Sequence, residues 1–153
     1  APTDDSIRSR ARARGAAVFR RLEGADFAQG SLVFASTTGG RSKQGQLFRF
    51  TPEGAGGTLE LLHESHGPDA LSMPDNIVVS PWGAIFIAED GAFPCGIRCF
   101  TRKGEMRALA SGAASMGEMA GVTFSPDGTI LFANLQADGV TVAITGPFEK
   151  WAA

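Results

Sequence analysis

The sequence predicts an all-β protein: a partial β-propeller of about three four-stranded blades with a short N-terminal helix. Two observations lead to this prediction. The chain has 20 glycines and 8 prolines among 153 residues, which is typical of a polypeptide that turns often. After Phe27, short runs rich in β-branched and aromatic residues alternate with clusters of Gly, Pro, Asp and Ser.

Ten β-strands are predicted from these runs. They cover residues 31–36, 46–50, 58–63, 76–79, 84–88, 97–100, 106–110, 122–124, 129–133 and 140–144. So many strands in so short a chain leave little room for another fold class.

The predicted strands recur as a repeat. Residues 29–35, 82–88 and 127–133 align on Gly30, Gly83 and Gly128, which are 53 and then 45 residues apart. Repeats of about this length, with four strands each, are typical of propeller blades. The Ser-Pro-Trp-Gly segment at 80–83 and the Ser-Pro-Asp-Gly segment at 125–128 are predicted to form equivalent hairpin turns.

The repeats divide the chain into two parts. Residues 21–153 are predicted to form the partial propeller, with blades at about 21–66, 73–112 and 118–148. Residues 1–20 form a basic arm with a helix from Asp5 to Ala17, capped by Asp5 or Ser6 and ended or weakened by Gly15. The first 21 residues contain six arginines: Arg8, Arg10, Arg12, Arg14, Arg20 and Arg21. A solvated surface helix and an anion-docking patch are both consistent with them.

Composition excludes some classes of function. With a net charge of −2, the chain is not expected to attract nucleic acid, and no apolar run reaches the ~18 residues that span a bilayer. We expect a processed or truncated start at Ala1. We also expect a periplasmic (exported) or organellar lumenal location, peripheral to a membrane complex, rather than the cytosol.

Cys95 and Cys99 are predicted to be buried free thiols, because their spacing along a strand spans ~13 Å, with a loop disulfide as the main alternative.

Polar residues occupy repeat-equivalent positions that a propeller gathers around its channel. Glu23, Asn76 and Gly121 align at the start of the first strands, with Arg21, Asp75 and Glu118 close by. Ser36, Glu89 and Asn134 align at the end of the second strands, and Asp90 follows Glu89. An isolated acid at a turn is usually solvated, but recurrence at one height of the repeat indicates a site. Carboxylate and amide oxygens suit hard cations such as calcium.

A series of short motifs extends over residues 7–148. The motifs are 21–24 (Arg-Leu-Glu-Gly), 45–50 (Gly-Gln-Leu-Phe-Arg-Phe), 74–81 (Pro-Asp-Asn-Ile-Val-Val-Ser-Pro), 88–91 (Ala-Glu-Asp-Gly), 118–121 (Glu-Met-Ala-Gly), 124–128 (Phe-Ser-Pro-Asp-Gly), 131–136 (Leu-Phe-Ala-Asn-Leu-Gln) and 143–148 (Ala-Ile-Thr-Gly-Pro-Phe). In this order they resemble the C-terminal half of PhoX-type alkaline phosphatases, which are calcium- and iron-dependent bacterial enzymes.

The resemblance implies a six-bladed propeller that hydrolyses phosphate monoesters at an iron–calcium cluster. It implies metal ligands at Glu23, Asp75 and Glu118, with Asn76 and Glu89 as further ligands. Arg21 would hold a phosphate oxygen, a role that suits a guanidinium. Family members also have an N-terminal half that carries further carboxylates and a bridging cysteine, to which nothing here corresponds. Leu22 stands where the family usually has proline.

Two functions follow from a chain of about three blades. Propellers close with roughly 4–8 blades, so an apolar blade face must be covered by another protein chain or by the missing propeller half. The first hypothesis is a PhoX-like binding or scaffold subunit of a larger assembly, inactive alone. The alternative is the C-terminal segment of a calcium- and iron-dependent phosphatase that becomes active when the other half is present.

Overall fold

A computed structural model describes residues 6–91, 94–112 and 117–153. In chain order the elements are α1 (Ser6–Ala13), β1 (Leu22–Ala28), β2 (Ser31–Ser36), β3 (Gln46–Glu53), β4 (Gly56–Glu64), β5 (Pro74–Val79), β6 (Ile85–Glu89), β7 (Gly96–Phe100), β8 (Met106–Ser111), β9 (Met119–Phe124), β10 (Ile130–Leu135), β11 (Val140–Thr145) and α2 (Phe148–Trp151). The ten predicted strands correspond to β2–β11. The sequence prediction lacks β1 and α2.

The strands form three antiparallel sheets of consecutive strands. Sheet 1 contains β1–β4, sheet 2 contains β5–β8 and sheet 3 contains β9–β11. The all-β, propeller-type fold class is therefore confirmed. Within the described residues, sheet 3 has three strands, where the repeat predicted about four. No helix in this part of the chain is long and apolar enough to cross a membrane.

The turn glycines explain why the repeat is visible in the sequence. Gln29 and Gly30 both have positive φ (52° and 76°) and join β1 to β2 as a two-residue hairpin turn. Gly83 (φ 93°) and Gly128 (φ 73°) lie in the corresponding turns of sheets 2 and 3. Their amides donate to the carbonyls of the serines three residues earlier, at 2.9 and 2.8 Å. The three glycines thus occupy the turns that the sequence predicts.

Helix α1 ends in a Schellman motif. Gly15 has φ 83° and donates its amide to the carbonyl of Arg12 at 2.9 Å. The amide of Ala16 donates to the carbonyl of Ala11 at 3.0 Å. Together these two bonds satisfy carbonyls at the end of the helix, and Gly15 ends it as predicted.

Phe19 and Arg20 tie the arm to sheet 1. The ring of Phe19 packs edge-on against Phe34 and Phe48, with centroids 5.3 and 5.1 Å apart. The Ser36 hydroxyl accepts from the amide of Arg20 at 3.2 Å and donates to its carbonyl at 2.8 Å. The entry to β1 is therefore fixed, although the side chains of residues 7–13 are exposed.

Two apolar layers hold the sheets together. The layer between sheets 1 and 2 contains Val33, Ala35, Leu47, Leu71, Ile77, Ile85, Ile87 and Phe100. The layer between sheets 2 and 3 surrounds Phe86, whose ring meets Phe124 and Phe148 edge-on at 4.9 and 6.0 Å. Sheet 2 is thus covered on both faces, which accounts for its nearly continuous apolar strands.

Helix α2 and both cysteines add to the layer between sheets 2 and 3. Phe148 is buried there, and Arg107 Nη1 of β8 donates to the carbonyl of Trp151 at 2.5 Å. Cys95 and Cys99 are buried free thiols, as predicted. Burial raises the pKa of Cys99 to about 12, so this thiol stays protonated at neutral pH.

The face of sheet 1 that points away from sheet 2 is apolar. The strand register places eight side chains on it: Ala25, Phe27, Leu32, Phe34, Phe48, Phe50, Leu59 and Leu61. None of the eight is buried in the described structure, and Phe27, Leu59 and Leu61 are 64, 47 and 49% exposed. We call this set the outer face of sheet 1. Phe19 packs on part of it.

Candidate functional site

Three equivalent hydrogen bonds mark the same height in each sheet. Just before the first strand, the carbonyls of Arg21, Met73 and Glu118 accept hydrogen bonds from residues just after the second strand. The donors are the amides of Thr37, Asp90 and Gln136, at 2.8, 2.9 and 3.1 Å respectively. Arg21 and Glu118 are therefore structurally equivalent to each other, as are Asp90 and Gln136, and we call these hydrogen-bonded positions the ring.

This register corrects the sequence alignment of the third repeat by one residue. Leu22 pairs with Ser36, Pro74 with Glu89 and Met119 with Leu135, so Leu135 rather than Asn134 is equivalent to Glu89. The cause is the turn in sheet 3. The amide of Ser80 donates to the carbonyl of the residue four positions later, whereas the amide of Ser125 donates to that of the residue five positions later.

The same register corrects the alignment at the start of the first strands. Glu23 follows Leu22, and Asp75 follows Pro74, in the irregular stretch of each ladder. Asp75 is therefore the equivalent of Glu23, and Asn76, which the sequence aligned with Glu23, is the equivalent of Gly24. A bulge separates the paired residues here, and such irregularities re-aim side chains.

Close packing of β1 on β5 brings these residues together. A Cβ atom at Gly24 would collide with the carbonyl oxygen of Asp75 and lie 2.6 Å from the amide nitrogen of Ile77. The hydroxyl of Thr37 donates to the carbonyl of Pro74 at 2.7 Å. Only glycine fits this approach, because the two backbones touch.

Four carboxyl groups and one guanidinium form a cluster at this end of the strands. Arg21 Nη2 lies 3.4 Å from Glu23 Oε1 and 3.5 Å from Asp90 Oδ2. The charge of Asp75 raises the pKa of Glu118, so these two carboxyl groups lie within electrostatic reach of each other. The cluster thus joins side chains from all three sheets, and we call it the acidic cluster.

Burial and neighbouring charges raise the pKa of two carboxyl groups of the acidic cluster, Asp75 and Glu118. The pKa of Asp75 is raised mainly by burial and further by the charges of Glu23 and Asp90. The pKa of Glu118 is raised by burial and by the charges of Asp90 and Asp75, although Gln136 Nε2 donates to Glu118 Oε2 at 3.0 Å. Arg21 opposes both shifts. A bound proton or a cation relieves this repulsion.

Glu89 has a different environment from the acidic cluster. Its side chain is 2% exposed, and Oε1 accepts hydrogen bonds from the amide of Ser72 at 2.8 Å and from Arg98 Nε at 2.9 Å. These contacts indicate that Glu89 forms a buried ion pair with Arg98 that serves a structural role. Asn76 Oδ1 is buried and has no hydrogen-bond partner among the described residues. This oxygen is therefore an unused hydrogen-bond acceptor next to Asp75.

The cluster suits a hard cation chemically but supplies only part of a coordination shell. Calcium takes 6–8 oxygen ligands, and the carboxylates of Asp75, Glu118, Glu23 and Asp90 are ligands of this type. In the residues that the structure describes, no group of three or more His, Cys, Asp or Glu side chains is arranged so that it could hold a metal ion. The remaining ligands would come from elsewhere.

Sequence reasoning did not place two members of the ring in the site. Asp90 was noted only as the neighbour of Glu89, and Gln136 only as part of a motif. The available signal was their place one residue beyond the second strand, where Thr37 stands in sheet 1. The one-residue offset of the third repeat obscured this signal in the sequence alignment.

Comparison with known proteins agrees with a propeller-type fold. The family model of alkaline phosphatase PhoX matches residues 3–139. The chain belongs to the PhoX alkaline phosphatase family. No functionally curated protein sequence matches it.

Two solved structures show the fold. Virginiamycin B lyase from Staphylococcus aureus has a TM-score of 0.51 and 15% identity, and the match covers 82% of this chain and 41% of the lyase. A putative gluconolactonase has a TM-score of 0.51 and 14% identity, and the match covers 84% of this chain and 61% of that protein. The chain thus spans about half the length of these proteins.

Proposed function

We propose that this chain forms one wall of a metal-dependent phosphomonoester hydrolase site, which further propeller blades complete. The observation that carries the proposal is the acidic cluster, in which Asp75 and Glu118 come from adjacent sheets and lie within electrostatic reach of each other and of Arg21. Family membership supplies the reaction class. Because the described carboxylates form only part of a shell, the isolated chain is expected to be inactive.

Arg21 is suited to bind a phosphate group. Its side chain is 45% exposed, and both of its ion pairs use Nη2 at 3.4 and 3.5 Å. Pairs of this length at an exposed position are weak. A guanidinium has five N–H donors in a fork that matches two phosphate oxygens. A phosphate that binds Arg21 therefore replaces only these two weak ion pairs.

Asp75 and Glu118 are the residues proposed to hold the cation, with Glu23 and Asp90 beside them. Calcium fits this all-oxygen set best, while iron remains a prediction from the family resemblance. When bound, such a cation polarises the phosphoryl group and neutralises developing charge. Gln136 orients Glu118 through its hydrogen bond, and Arg21 holds the phosphate next to them.

Calcium titration of the isolated chain tests the proposal. Saturable binding is expected with a dissociation constant in the range of about 0.1–1 mM. The double variant Asp75→Asn/Glu118→Gln should weaken it at least about tenfold, since two anionic ligands are lost. Glu60→Gln is the control, because Glu60 on β4 pairs with Arg49 of β3 and is 56% exposed.

Two results contradict the proposal. The first is a wild-type chain that binds no calcium, and the second is equal weakening by the double variant and by Glu60→Gln. Hydrolysis of p-nitrophenyl phosphate by the isolated chain would show that its site needs no further blades. That result would not contradict the assignment of Asp75 and Glu118 as calcium ligands.

A binding or scaffold subunit is the second candidate function, and the outer face of sheet 1 favours it. Eight apolar side chains lie on that face, and three of them are about half exposed or more. A partner protein or another propeller segment would cover it. For a pure scaffold, partner binding would persist in the Asp75→Asn/Glu118→Gln variant, and the wild type would not bind calcium.

A further inference from the structure

A groove between sheets 1 and 2 opens at the end of the strands opposite the acidic cluster. Two adjoining cavities of about 480 and 330 Å³ form it, and they share the lining residues Gln29, Arg49, Gly83 and Ile85. Its edge is formed by the turns between the first and second strands of both sheets and by residues 101–104, between β7 and β8. We call it the turn-end groove. Both walls belong to sheets of this chain, so further blades are not required to form it.

The floor of the turn-end groove is apolar. Val33, Ile85 and Phe100 line it, are 3, 2 and 8% exposed, and belong to the layer between sheets 1 and 2. Leu62 and Val79 continue this floor and are only partly buried. An apolar group that covers the floor gains free energy because both surfaces leave water. The volumes are also in the range of small-molecule sites.

Positive charge lines one rim of the turn-end groove. Arg102 and Lys103 lie in the turn between β7 and β8, and both are exposed. The ion pairs among the described residues include neither of them. The next acid along the chain, Glu105, is held by Arg107, whose Nε lies 3.1 Å from Glu105 Oε2. Two uncompensated cations at one rim attract an anion.

The facing rim favours a singly charged anion. Arg49 and Glu60 both line the groove and pair with each other at 3.4 Å. Their charges nearly cancel, and the pair is exposed and weak. Because the Glu60 carboxylate stays near any bound anion, it repels a doubly charged group more than a singly charged one. A carboxylate carries a single charge, and it also matches the fork of a guanidinium.

We propose that the turn-end groove binds an organic monocarboxylate with an aromatic or aliphatic body. The carboxylate lies at Arg102 and Lys103, and the body covers Val33, Ile85 and Phe100. Different residues form this site and the acidic cluster, so the assignment goes beyond the proposed function. The groove gives the chain a second small-molecule ligand, whose binding needs no metal.

Isothermal titration in EDTA near neutral pH tests the groove with four probes: 2-naphthoate, 2-naphthol, acetate and 2-naphthyl phosphate. We expect 2-naphthoate to bind at least about tenfold more tightly than 2-naphthol or acetate, because only it uses both the cations and the apolar floor. It should also bind more tightly than 2-naphthyl phosphate, whose second charge Glu60 repels. Arg102→Gln/Lys103→Gln should weaken binding of 2-naphthoate at least about tenfold, since its charge-assisted hydrogen bonds are lost.

The matched control is Arg41→Gln/Lys43→Gln. It also removes one arginine and one lysine, both exposed, but neither lines the groove. It should stay within about twofold of the wild type, since only long-range charge is lost. The groove variant keeps its turn, because main-chain bonds close it: the amide of Gly104 donates to the carbonyl of Thr101 at 3.0 Å.

Four results overturn the proposal. They are no binding of 2-naphthoate, equal losses in the two double variants, acetate or 2-naphthol that binds as tightly as 2-naphthoate, and 2-naphthyl phosphate that binds as tightly or more tightly. Binding of the naphthalene body to the outer face of sheet 1 would give equal affinities in the groove variant and the wild type, and it too would overturn the proposal.

The titration also separates the turn-end groove from the proposed function. Asp75→Asn/Glu118→Gln should bind 2-naphthoate like the wild type, because neither residue lines the groove. Arg102→Gln/Lys103→Gln should bind calcium like the wild type for the same reason. A loss of 2-naphthoate binding in the first variant would show that the two sites are not separate.

Discussion

Asp75 on β5 and Glu118 just before β9 come from adjacent sheets and lie within electrostatic reach of each other. The pKa of each group is raised by burial and by neighbouring carboxylates. Two such groups repel each other at neutral pH unless a proton or a cation lies between them. The metal-free chain therefore holds an electrostatic conflict at the centre of its proposed site.

Asp75→Asn is expected to stabilise the metal-free chain at pH 7. A carboxyl group with a raised folded-state pKa contributes most stability when protonated, and stability falls as the pH rises above 3.8 through the folded-state pKa. Replacing the ionised group removes that loss. Because Asp75 is only partly buried, the gain should be small, on the order of 1–2 °C in Tm.

Thermal unfolding of Asp75→Asn in EDTA and in calcium measures this effect. Added calcium should raise the Tm of the wild type and leave that of the variant nearly unchanged. Glu60→Gln should respond to calcium like the wild type. A lower Tm for Asp75→Asn in EDTA would show that the carboxylate stabilises the fold and that the conflict does not exist.

Arg98→Met is expected to destabilise the chain strongly, because it leaves the Glu89 carboxylate buried without its partner. The pair is close, with 2.9 Å between Arg98 Nε and Glu89 Oε1. Removing one partner of a buried pair costs about 3–5 kcal/mol. Urea unfolding measures this, and Arg49→Met, which breaks an exposed pair at 3.4 Å, is the control with an expected cost below about 1 kcal/mol.

The Glu89 prediction also separates a structural role from the metal ligand implied by the family resemblance. If Glu89 is structural, Glu89→Gln lowers the unfolding free energy while the folded variant keeps the calcium affinity of the wild type. A folded Glu89→Gln variant that loses calcium binding would place this carboxylate in the coordination shell.

Gly24→Ala tests the contact between β1 and β5. The new Cβ atom would meet backbone atoms of residues 75–77, which cannot move aside as a flexible side chain can. Overpacking of this kind costs about 1–3 kcal/mol. Gly56→Ala is the matched control, since a Cβ atom there meets nothing within 4 Å, and its effect should stay within about 0.5 kcal/mol. Similar urea midpoints for the two variants would contradict the close approach.

The features that depend on local chemistry were predictable from the sequence. Gly30, Gly83 and Gly128 need positive φ, so they mark the turns and reveal the repeat. Sheet 2 has apolar strands because both of its faces are covered. Asp75 lies within electrostatic reach of Glu23 and of Glu118, and the role of these three residues as metal ligands stays a prediction.

Features that depend on register were not predictable in the same way. One extra residue in the turn after Ser125 moves Leu135 into the position of Glu89. The environment of Glu89 depends on Arg98, nine residues later on β7, which no motif indicates. β1 escaped prediction because Glu23, Gly24 and Asp26 interrupt its apolar pattern.

The outer face of sheet 1 predicts that the chain associates through this surface. Leu59 and Leu61 lie there on β4 beside Phe48 and Phe50, and both leucines are nearly half exposed. Burial stabilises by ~25 cal/mol per Å² of apolar area, so covering several hundred Å² is worth on the order of 10 kcal/mol. That is comparable to the stability of a whole domain. The wild-type chain alone should therefore self-associate or be poorly soluble.

Sedimentation velocity of Leu59→Lys/Leu61→Lys tests this association. The two charges oppose desolvation of the face, so the variant should sediment as a monomer at concentrations at which the wild type does not. Val140→Lys is the control, because Val140 is 46% exposed on β11 and lies outside the outer face. It should associate like the wild type. A wild-type chain that sediments as a stable monomer and unfolds in one sharp two-state transition would show that the outer face tolerates water, and that no partner is needed to cover it.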